Sequence, residues 1–566
     1  MVKKLLAVIL SLCIACSVLP IALAEDSLDL LVASDTHYQC AADLSALSGA
    51  EAEPFTDGLS STERELFYHA TSQGQMNHES RAILKSLLRS FAQSEEEILL
   101  LSGDLTCGKR NSHLELAQLL AEFEAQSGKR IFVINGNHDC RTDRLDTYID
   151  VNEFKQIYAD FGYNEALRVH ESSASYVVDL SAGVRLLSID SNIYGEDKGE
   201  INPAVMSFVR AELETAKIEG KQVIAMMHHS LLPHYELQPM IDSYQAFAEY
   251  LADNGVALML TGHIHANDIS SASSKKGNSI YDVLTGSLIS APNAYRRLSL
   301  GRSSCRIETK YITDIDIQDL TADYTAEQLN LLENNFTEYA YGFFEAGVCK
   351  WLNRYLGSAH KISRLLKVEE GTAAYELLES VMENIKNSLH MDIYSNGTCQ
   401  SIEDIARQSN VSLPPSSYQK PYQVAARLMY AFFCGDEAEL CNEEDSELLL
   451  CCLKAVVANS IYSAAESSRL SALLSLLYGE RYLGLQLSDT AKLIFMNGAV
   501  SLITTAAFDT LTKGITEDYC FPADRAVELD LSAGAIRDGS PLSMLIRFIR
   551  IIINFLKKLF NTFGGF

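Results

Sequence analysis

The chain has 566 residues, 47% of them apolar and 21% charged, which is enough to bury a large core and divide it between two or more domains. Its 46 Lys and Arg against 74 Asp and Glu give a formal charge of −28. That field excludes long nucleic acids as partners, because they are bound by arrays of Lys and Arg set against phosphates.

Lys3 and Lys4, an apolar run from Leu5 to about Leu19, and Ala22-Leu23-Ala24 open the chain. This pattern reads as a secretory signal over 1–24 with an A-x-A cleavage site, and predicts export to the medium or the outer cell surface. Losing Lys3 and Lys4 would take the charge to −30. An uncleaved anchor is the second reading. Cys13 stands where a lipoprotein site normally has Leu, which argues against acylation at Cys16.

Five short apolar runs follow: Leu28 to Ser34, Ile98 to Ser102, Ile131 to Asn135, Gln222 to Met227 and Val256 to Thr261. Each has strand length and ends in turn residues, so each reads as a buried strand. His78 to Gln93, Ser112 to Ala125 and Pro203 to Ile218 have helical spacing instead. Alternating strands and helices predict an α/β fold whose chemistry lies beyond the carboxyl ends of the strands, with all five strand exits gathered on one sheet edge.

The strand exits carry Asp35-Thr36-His37, Gly103-Asp104, Gly136-Asn137-His138-Asp139, His228-His229 and Gly262-His263-Ile264-His265. Imidazole, carboxylate and carboxamide donors suit Mn, Fe, Zn or Mg, and no cysteine belongs to the set. Asp104, at a tight turn set by Gly103, can bridge two cations. Two divalent cations ~3.5–4 Å apart lower the pKa of a bound water towards ~7 and clamp both oxygens of an in-line displacement. The local field favours a small phosphate ester even on this acidic protein, since two divalent cations outweigh Asp35, Asp104 and one hydroxide.

In this order the motifs D-x-H, G-D, G-N-H-D, H and G-H-x-H resemble those of the calcineurin-like metallophosphoesterases, with every position filled. The resemblance covers Leu28 to about Thr309 and implies a four-layer αββα sandwich over 25–315. It implies that Asp35, His37, Asp104 and His265 hold one metal, and that Asp104, Asn137, His228 and His263 hold the other. His138 would serve as proton donor or transition-state stabiliser, oriented by Asp139. His113 and His229 stay outside the ligand set, as does Arg141, which could grip a phosphate or make a surface ion pair. The purple acid phosphatase branch has a ferric-binding Tyr where this chain has Cys107, which disfavours a ferric-tyrosinate site. Gly103-Asp104-Leu105-Thr106 and Ser112-His113-Leu114-Glu115 are similar to bacterial members that act on phosphodiesters, cyclic nucleotides among them. Phosphomonoester hydrolysis on the same fold is the alternative, and a surface interaction protein built on a silent metallo-domain is another.

Between the first two islands lies a long stretch, Tyr38 to Asn77. It reads either as a lid, with Tyr38, Phe55, Phe67, Tyr68 and His78 offering stacking surfaces, or as a plain surface excursion. Eleven cysteines would remain after signal removal, an odd number with no C-x-x-C pair, so no regular disulfide framework is expected. Cys40, Cys107 and Cys140 each follow an island closely.

Beyond about Ile315 apolar residues recur every three or four positions, predicting a mostly helical domain over 316–540, with a loop at Asn396 to Ser417. From Leu542 to Phe563 a Leu, Ile and Phe-rich helix carries Arg547, Arg550, Lys557 and Lys558 on a narrow polar stripe. Such a basic amphipathic segment, 541–566, fits a membrane surface, and equally a last helix docked on the domain.

Overall fold

The computed structural model describes residues 27–45, 74–142, 145–235, 238–356, 359–435, 443–464, 468–478, 489–512 and 524–531. The segment 1–24 expected to be a signal, Phe55, Phe67, Tyr68 and the basic segment 541–566 lie outside the described residues.

Thirteen described strands run in chain order: β1 Leu28–Ala33, β2 Ile98–Leu101, β3 Arg130–Val133, β4 Arg168–Val169, β5 Tyr176–Asp179, β6 Val184–Ile189, β7 Gln222–Met227, β8 Val256–Thr261, β9 Asp268–Ser273, β10 Ser279–Leu284, β11 Ala294–Leu300, β12 Ser304–Tyr311 and β13 Ala526–Asp530. They form two sheets, β13-β12-β11-β1-β2-β3 and β4-β5-β6-β7-β8-β10-β9. The five island-bearing strands are therefore shared between two sheets and do not lie on one edge. Three islands leave parallel β1, β2 and β3, and two leave parallel β7 and β8.

Period-two side-chain alternation explains why the sheets stack. Leu186, Ile224, Met226, Leu258 and Leu260 face the large core shared with the first sheet. Leu187, Ile189, Val223, Ala225 and Met259, one step along the same strands, face a second core with the helices Pro203–Ile218 and Tyr244–Asp253. β2 has a continuous run, Ile98-Leu99-Leu100-Leu101, and every residue of it is buried. The helices Ser80–Gln93 and Arg110–Ser127 supply further apolar faces to the large core. The expected four-layer α/β architecture is what forms.

Among the described residues after Ile315, helices follow one another between Ala326 and Thr512, and residues such as Leu378, Val381, Val424, Leu453 and Val457 continue the large core into them. Within the helix Glu443–Ser463, the stretch Glu444–Ser463 is long and apolar enough to cross a membrane by composition, yet 56% of its most apolar window is buried among neighbouring helices, as in a core helix. One expectation needs correction. The segment expected to be a loop at 396–417 contains the short helix Ile402–Gln408, nucleated by a reciprocal cap between Ser401 and Asp404. The mostly helical region also contributes one strand, β13, which returns to extend the first sheet, pairing Ser304 with Asp530 and Glu308 with Ala526. A five-residue strand has too little alternation to stand out in a helical context.

The buried Arg296 on β11 anchors this return. Its guanidinium donates to Thr309 Oγ1 and to the carbonyls of Asp524 and Leu284, joining both sheets to the chain just before β13. Replacing Arg296 with Met takes the guanidinium from three buried acceptors, leaving Asp524 O only the 3.4 Å bond from Thr309 Oγ1, and each buried acceptor left unmet costs about 1–3 kcal/mol. The thermal midpoint of Arg296→Met is expected to drop by several degrees, whereas a melting curve matching wild type would contradict this role.

Candidate metal centre

Each island lies just beyond a strand, and backbone hydrogen bonds tie the islands together. Asp35 N–H donates to Gly103 O at 3.1 Å, His37 N–H to Asp104 O at 2.9 Å, and Gly262 N–H to His228 O at 2.9 Å. The last two bonds belong to different sheets, so the centre forms where the two sheets meet.

Five of the proposed donors have left-handed backbone: Asp35 (φ 50°), His37 (φ 37°), Asp104 (φ 48°), His263 (φ 75°) and His265 (φ 65°). Non-glycine residues adopt this conformation at a cost of order 1–3 kcal/mol each, and it persists only where the surroundings enforce it. The motif glycines serve close approach. A Cβ on Gly103 would sit 2.6 Å from the Nδ1 of His228, and one on Gly136 or Gly262 would fall on the carboxylate of Asp104 or the hydroxyl of Ser34.

The donors converge on two overlapping clusters. His265 Nε2 lies 3.2 Å from Asp35 Oδ1 and 3.3 Å from His37 Nε2, with His37 Nε2 3.7 Å from Asp104 Oδ2. On the other side His228 Nε2 is 3.2 Å from Asp104 Oδ2 and 3.0 Å from Asn137 Oδ1, which is also 3.0 Å from His263 Nδ1. Asp35, His37 and His265 form one buried group able to hold a cation, and Asp35, Asp104 and His228 another. Asp104 Oδ2 stands between the two sets of imidazoles. All seven sequence-predicted donors are thus brought together, and the first residue of the His228-His229 pair is the one that faces Asp104.

The donor chemistry fits divalent cations. Asp35 and Asp104 are fully buried, and among the described residues their ion pairs run to histidines alone, with no Lys or Arg to neutralise them. Buried carboxylates need a compensating charge. Burial drives His37 down to about 3 even beside Asp104, so it is a neutral imidazole with a lone pair to give. Burial also opposes charging of His228, but the Asp104 carboxylate outweighs it and lifts His228 to about 9. His228 Nδ1 lies 3.0 Å from Ser102 O, a bond that it makes as donor, which turns Nε2 towards the centre.

His138 lies at the mouth. Its side chain is 36% exposed, its Nε2 is 3.9 Å from Asp104 Oδ2, and its ring meets His37 edge-on at 5.2 Å. Asp139 does not orient it. The buried Asp139 carboxylate accepts the N–H groups of Leu105 (3.1 Å), Thr106 (2.9 Å) and Gly136 (2.8 Å), which locks the Asp104 turn to the Asn137 loop. What holds the His138 backbone is its own N–H, donated to Asp104 Oδ1 at 2.9 Å. The expectation failed because sequence proximity to a catalytic residue does not say which way a short carboxylate turns.

Other neighbours settle as follows. His229 packs against the ring of His263 at 4.5 Å and is 2.9 Å from Ser191 Oγ, so it supports a proposed ligand from behind. His113 is buried with Tyr158 and Thr106. Arg141 lies over the ring of Tyr148 at 5.1 Å. Tyr38 is buried, its hydroxyl bonded to Glu115, and offers no stacking surface. Cys107 Sγ is 3.9 Å from His37 Nδ1, while Cys40 and Cys140 are buried thiols.

A model of the calcineurin-like phosphoesterase family matches residues 28–267. Residues 28–267 are a calcineurin-like phosphoesterase domain. The chain is 24% identical over 207 residues to a "Probable cyclic nucleotide phosphodiesterase" of Rhodococcus erythropolis, covering 35% of this chain and 62% of that protein. It is 24% identical over 188 residues to a cAMP/cGMP dual specificity phosphodiesterase of Mycobacterium tuberculosis, covering 32% of this chain and 53% of that protein. The match thus spans between half and two thirds of each relative's own length. A dimetal phosphatase from Danio rerio is similar at 11% identity and a TM-score of 0.34, covering 50% of this chain and 96% of that structure. Phosphoesterase domains of this family use a dinuclear divalent metal centre, and the Asp and His groups above are suited to one.

With His228 raised to about 9, a cation arriving at neutral pH must displace a proton from it. Apparent affinity for Mn²⁺ should therefore rise with pH up to about 9 and then level off. Calorimetric titration at pH 7 in buffers of different ionisation enthalpy should report proton release. Buffer-independent heats would contradict this charge state.

Proposed function

We propose that the protein hydrolyses phosphoric esters at this centre, with phosphodiesters of the cyclic-nucleotide type as its substrate class. The observation that carries the reading is Asp104 Oδ2 lying within 3.2 Å of His228 Nε2 and 3.7 Å of His37 Nε2, with His138 beside it at the opening. When bound, two divalent cations would supply an acidified water and neutralise the phosphoryl oxygens.

The residues themselves do the rest. Asp35, His37 and His265 would hold one cation, Asn137, His228 and His263 the other, and Asp104 both. Asp139 sets the turn that presents Asp104. His138, exposed at the mouth, would carry a proton to the departing oxygen through Nε2.

Charge favours the diester. Two divalent cations set against Asp35, Asp104 and one hydroxide leave a single net positive charge, which matches a monoanionic diester better than a dianionic monoester. The two bacterial relatives named as cyclic nucleotide phosphodiesterases support the same class.

Metal-loaded protein is expected to turn over bis(p-nitrophenyl) phosphate faster than p-nitrophenyl phosphate, with Asp104→Ala and Asn137→Ala inactive while still folded. Inertness on both esters would overturn the enzyme reading, and faster turnover of the monoester would overturn the diester preference. For His138→Ala a loss of about 10²–10⁴ is expected with a cyclic nucleotide, whose alkoxide leaving group needs a proton. The loss should be far smaller with the aryl diester. Equal losses on both would remove His138 from the proton-donor role.

A further inference from the structure

The loop that leaves His265 is gripped by the far end of the chain. Asn267 donates its backbone N–H at 3.3 Å and its Nδ2 at 2.8 Å to the carbonyl of Phe433, in the last turn of the helix Pro421–Cys434. Its Oδ1 accepts the N–H of Gly286 at 3.1 Å, so both ends of the carboxamide are engaged. Two residues on, Ile269 N–H donates to Asp524 Oδ2 at 2.7 Å.

The gripping residues are held in turn. Asp524 N–H donates to Gly435 O at 2.8 Å, and the carbonyl of Asp524 takes the guanidinium of Arg296. Gly435 caps its helix with φ 68° and lies so close that a Cβ would stand 2.6 Å from Asn267 O. Asn267, Asp268 and Asp524 are all buried.

This grip falls where the metal loop most needs it. His263 and His265 have φ 75° and 65°, a conformation that persists only if the chain on both sides is fixed. Upstream, the loop is fixed by Gly262 N–H on His228 O and by His263 N–H on Asp35 Oδ2 at 3.0 Å. Downstream, Ser287 N–H holds the His265 carbonyl at 3.3 Å and β10 pairs with Asp268 and Ile269, and Phe433, Gly435 and Asp524 of the C-terminal region add a second hold from outside.

We propose that this region is a positioning element of the metal centre: Phe433, Gly435 and Asp524 clamp Asn267 and Ile269, and so hold His263 and His265 in ligand geometry. The inference rests on reading those two histidines as metal ligands. The half of the chain without catalytic motifs then has a defined task in the chemistry of the other half. Coupling is reciprocal, so metal binding should also tighten the clamp.

The test uses the full chain and Mn²⁺, with bound metal measured by equilibrium dialysis alongside the thermal midpoint. Asn267→Ala and Asp524→Ala are expected to weaken Mn²⁺ binding about tenfold to a hundredfold, the range typical when a group supporting a metal ligand is lost. Asn267→Asp, which keeps the acceptor for Gly286 and loses the Nδ2 donor, should fall between these and wild type. Tyr339→Phe removes a different bond between the same two regions, the 2.6 Å contact with Glu79. It should lower the thermal midpoint without changing Mn²⁺ affinity. Wild-type affinity in folded Asn267→Ala and Asp524→Ala would overturn the proposal, as would equal weakening in Tyr339→Phe. Should the alanine variants not fold, hydrogen exchange of the wild-type protein decides. Mn²⁺ should slow exchange of the Ile269 and Asp524 amides, and no change there would overturn the clamp. Unchanged affinity in His263→Ala and His265→Ala would instead show that the ligand assignment has failed.

Discussion

Two carboxylates, Asp35 and Asp104, lie buried with no lysine or arginine paired to them among the described residues, and the rest of the structure follows from the need to compensate that charge. Histidines surround them on both sides; burial keeps His37 and His263 neutral while Asp104 raises His228 to about 9, so the remaining compensating charge has to come from outside the chain. The fold accepts five left-handed donor residues to present this set, and it places glycines where any side chain would strike a donor or its neighbour. A scaffold of two stacked sheets whose island-bearing strands are mostly buried can hold such strain, where a free loop could not.

The meeting of two sheets gives the centre its geometry. One sheet contributes Asp35, His37, Asp104 and Asn137, and the other contributes His228, His263 and His265, so neither alone can enclose a cation pair. Asp139 joins two strand exits of the first sheet through three backbone amides, and Gly262 joins the exits of β7 and β8 in the second. Asp35, bonded to the His263 amide, crosses between them. The C-terminal region closes the arrangement from outside, through β13 on one sheet and Asn267 beside the other.

Much of this was legible in the sequence because it is local. An apolar run followed at once by Gly-Asn-His-Asp or Gly-His-Ile-His reports both a strand and what stands at its exit, and β7, β8 and the helix Pro203–Ile218 have the boundaries that the pattern predicts. Division of the strands between two sheets leaves no local mark, since β2 and β7 read alike as apolar runs. The direction of the Asp139 carboxylate is likewise a matter of three backbone amides that a residue pattern does not display. β13 and the pairing of Asn267 with Phe433, 166 residues apart, depend on where the chain returns, which side-chain periodicity does not encode. The His228-His229 pair shows the intermediate case: the family pattern points to the first as ligand, and the packing shows it facing Asp104 while the second lies against the ring of His263.

Anomalous diffraction from crystals of the full chain grown with Mn²⁺ tests the central claim most directly. The account predicts two anomalous peaks ~3.5–4 Å apart, one on each side of Asp104 Oδ2. A single peak, or two peaks that do not share Asp104, would contradict it.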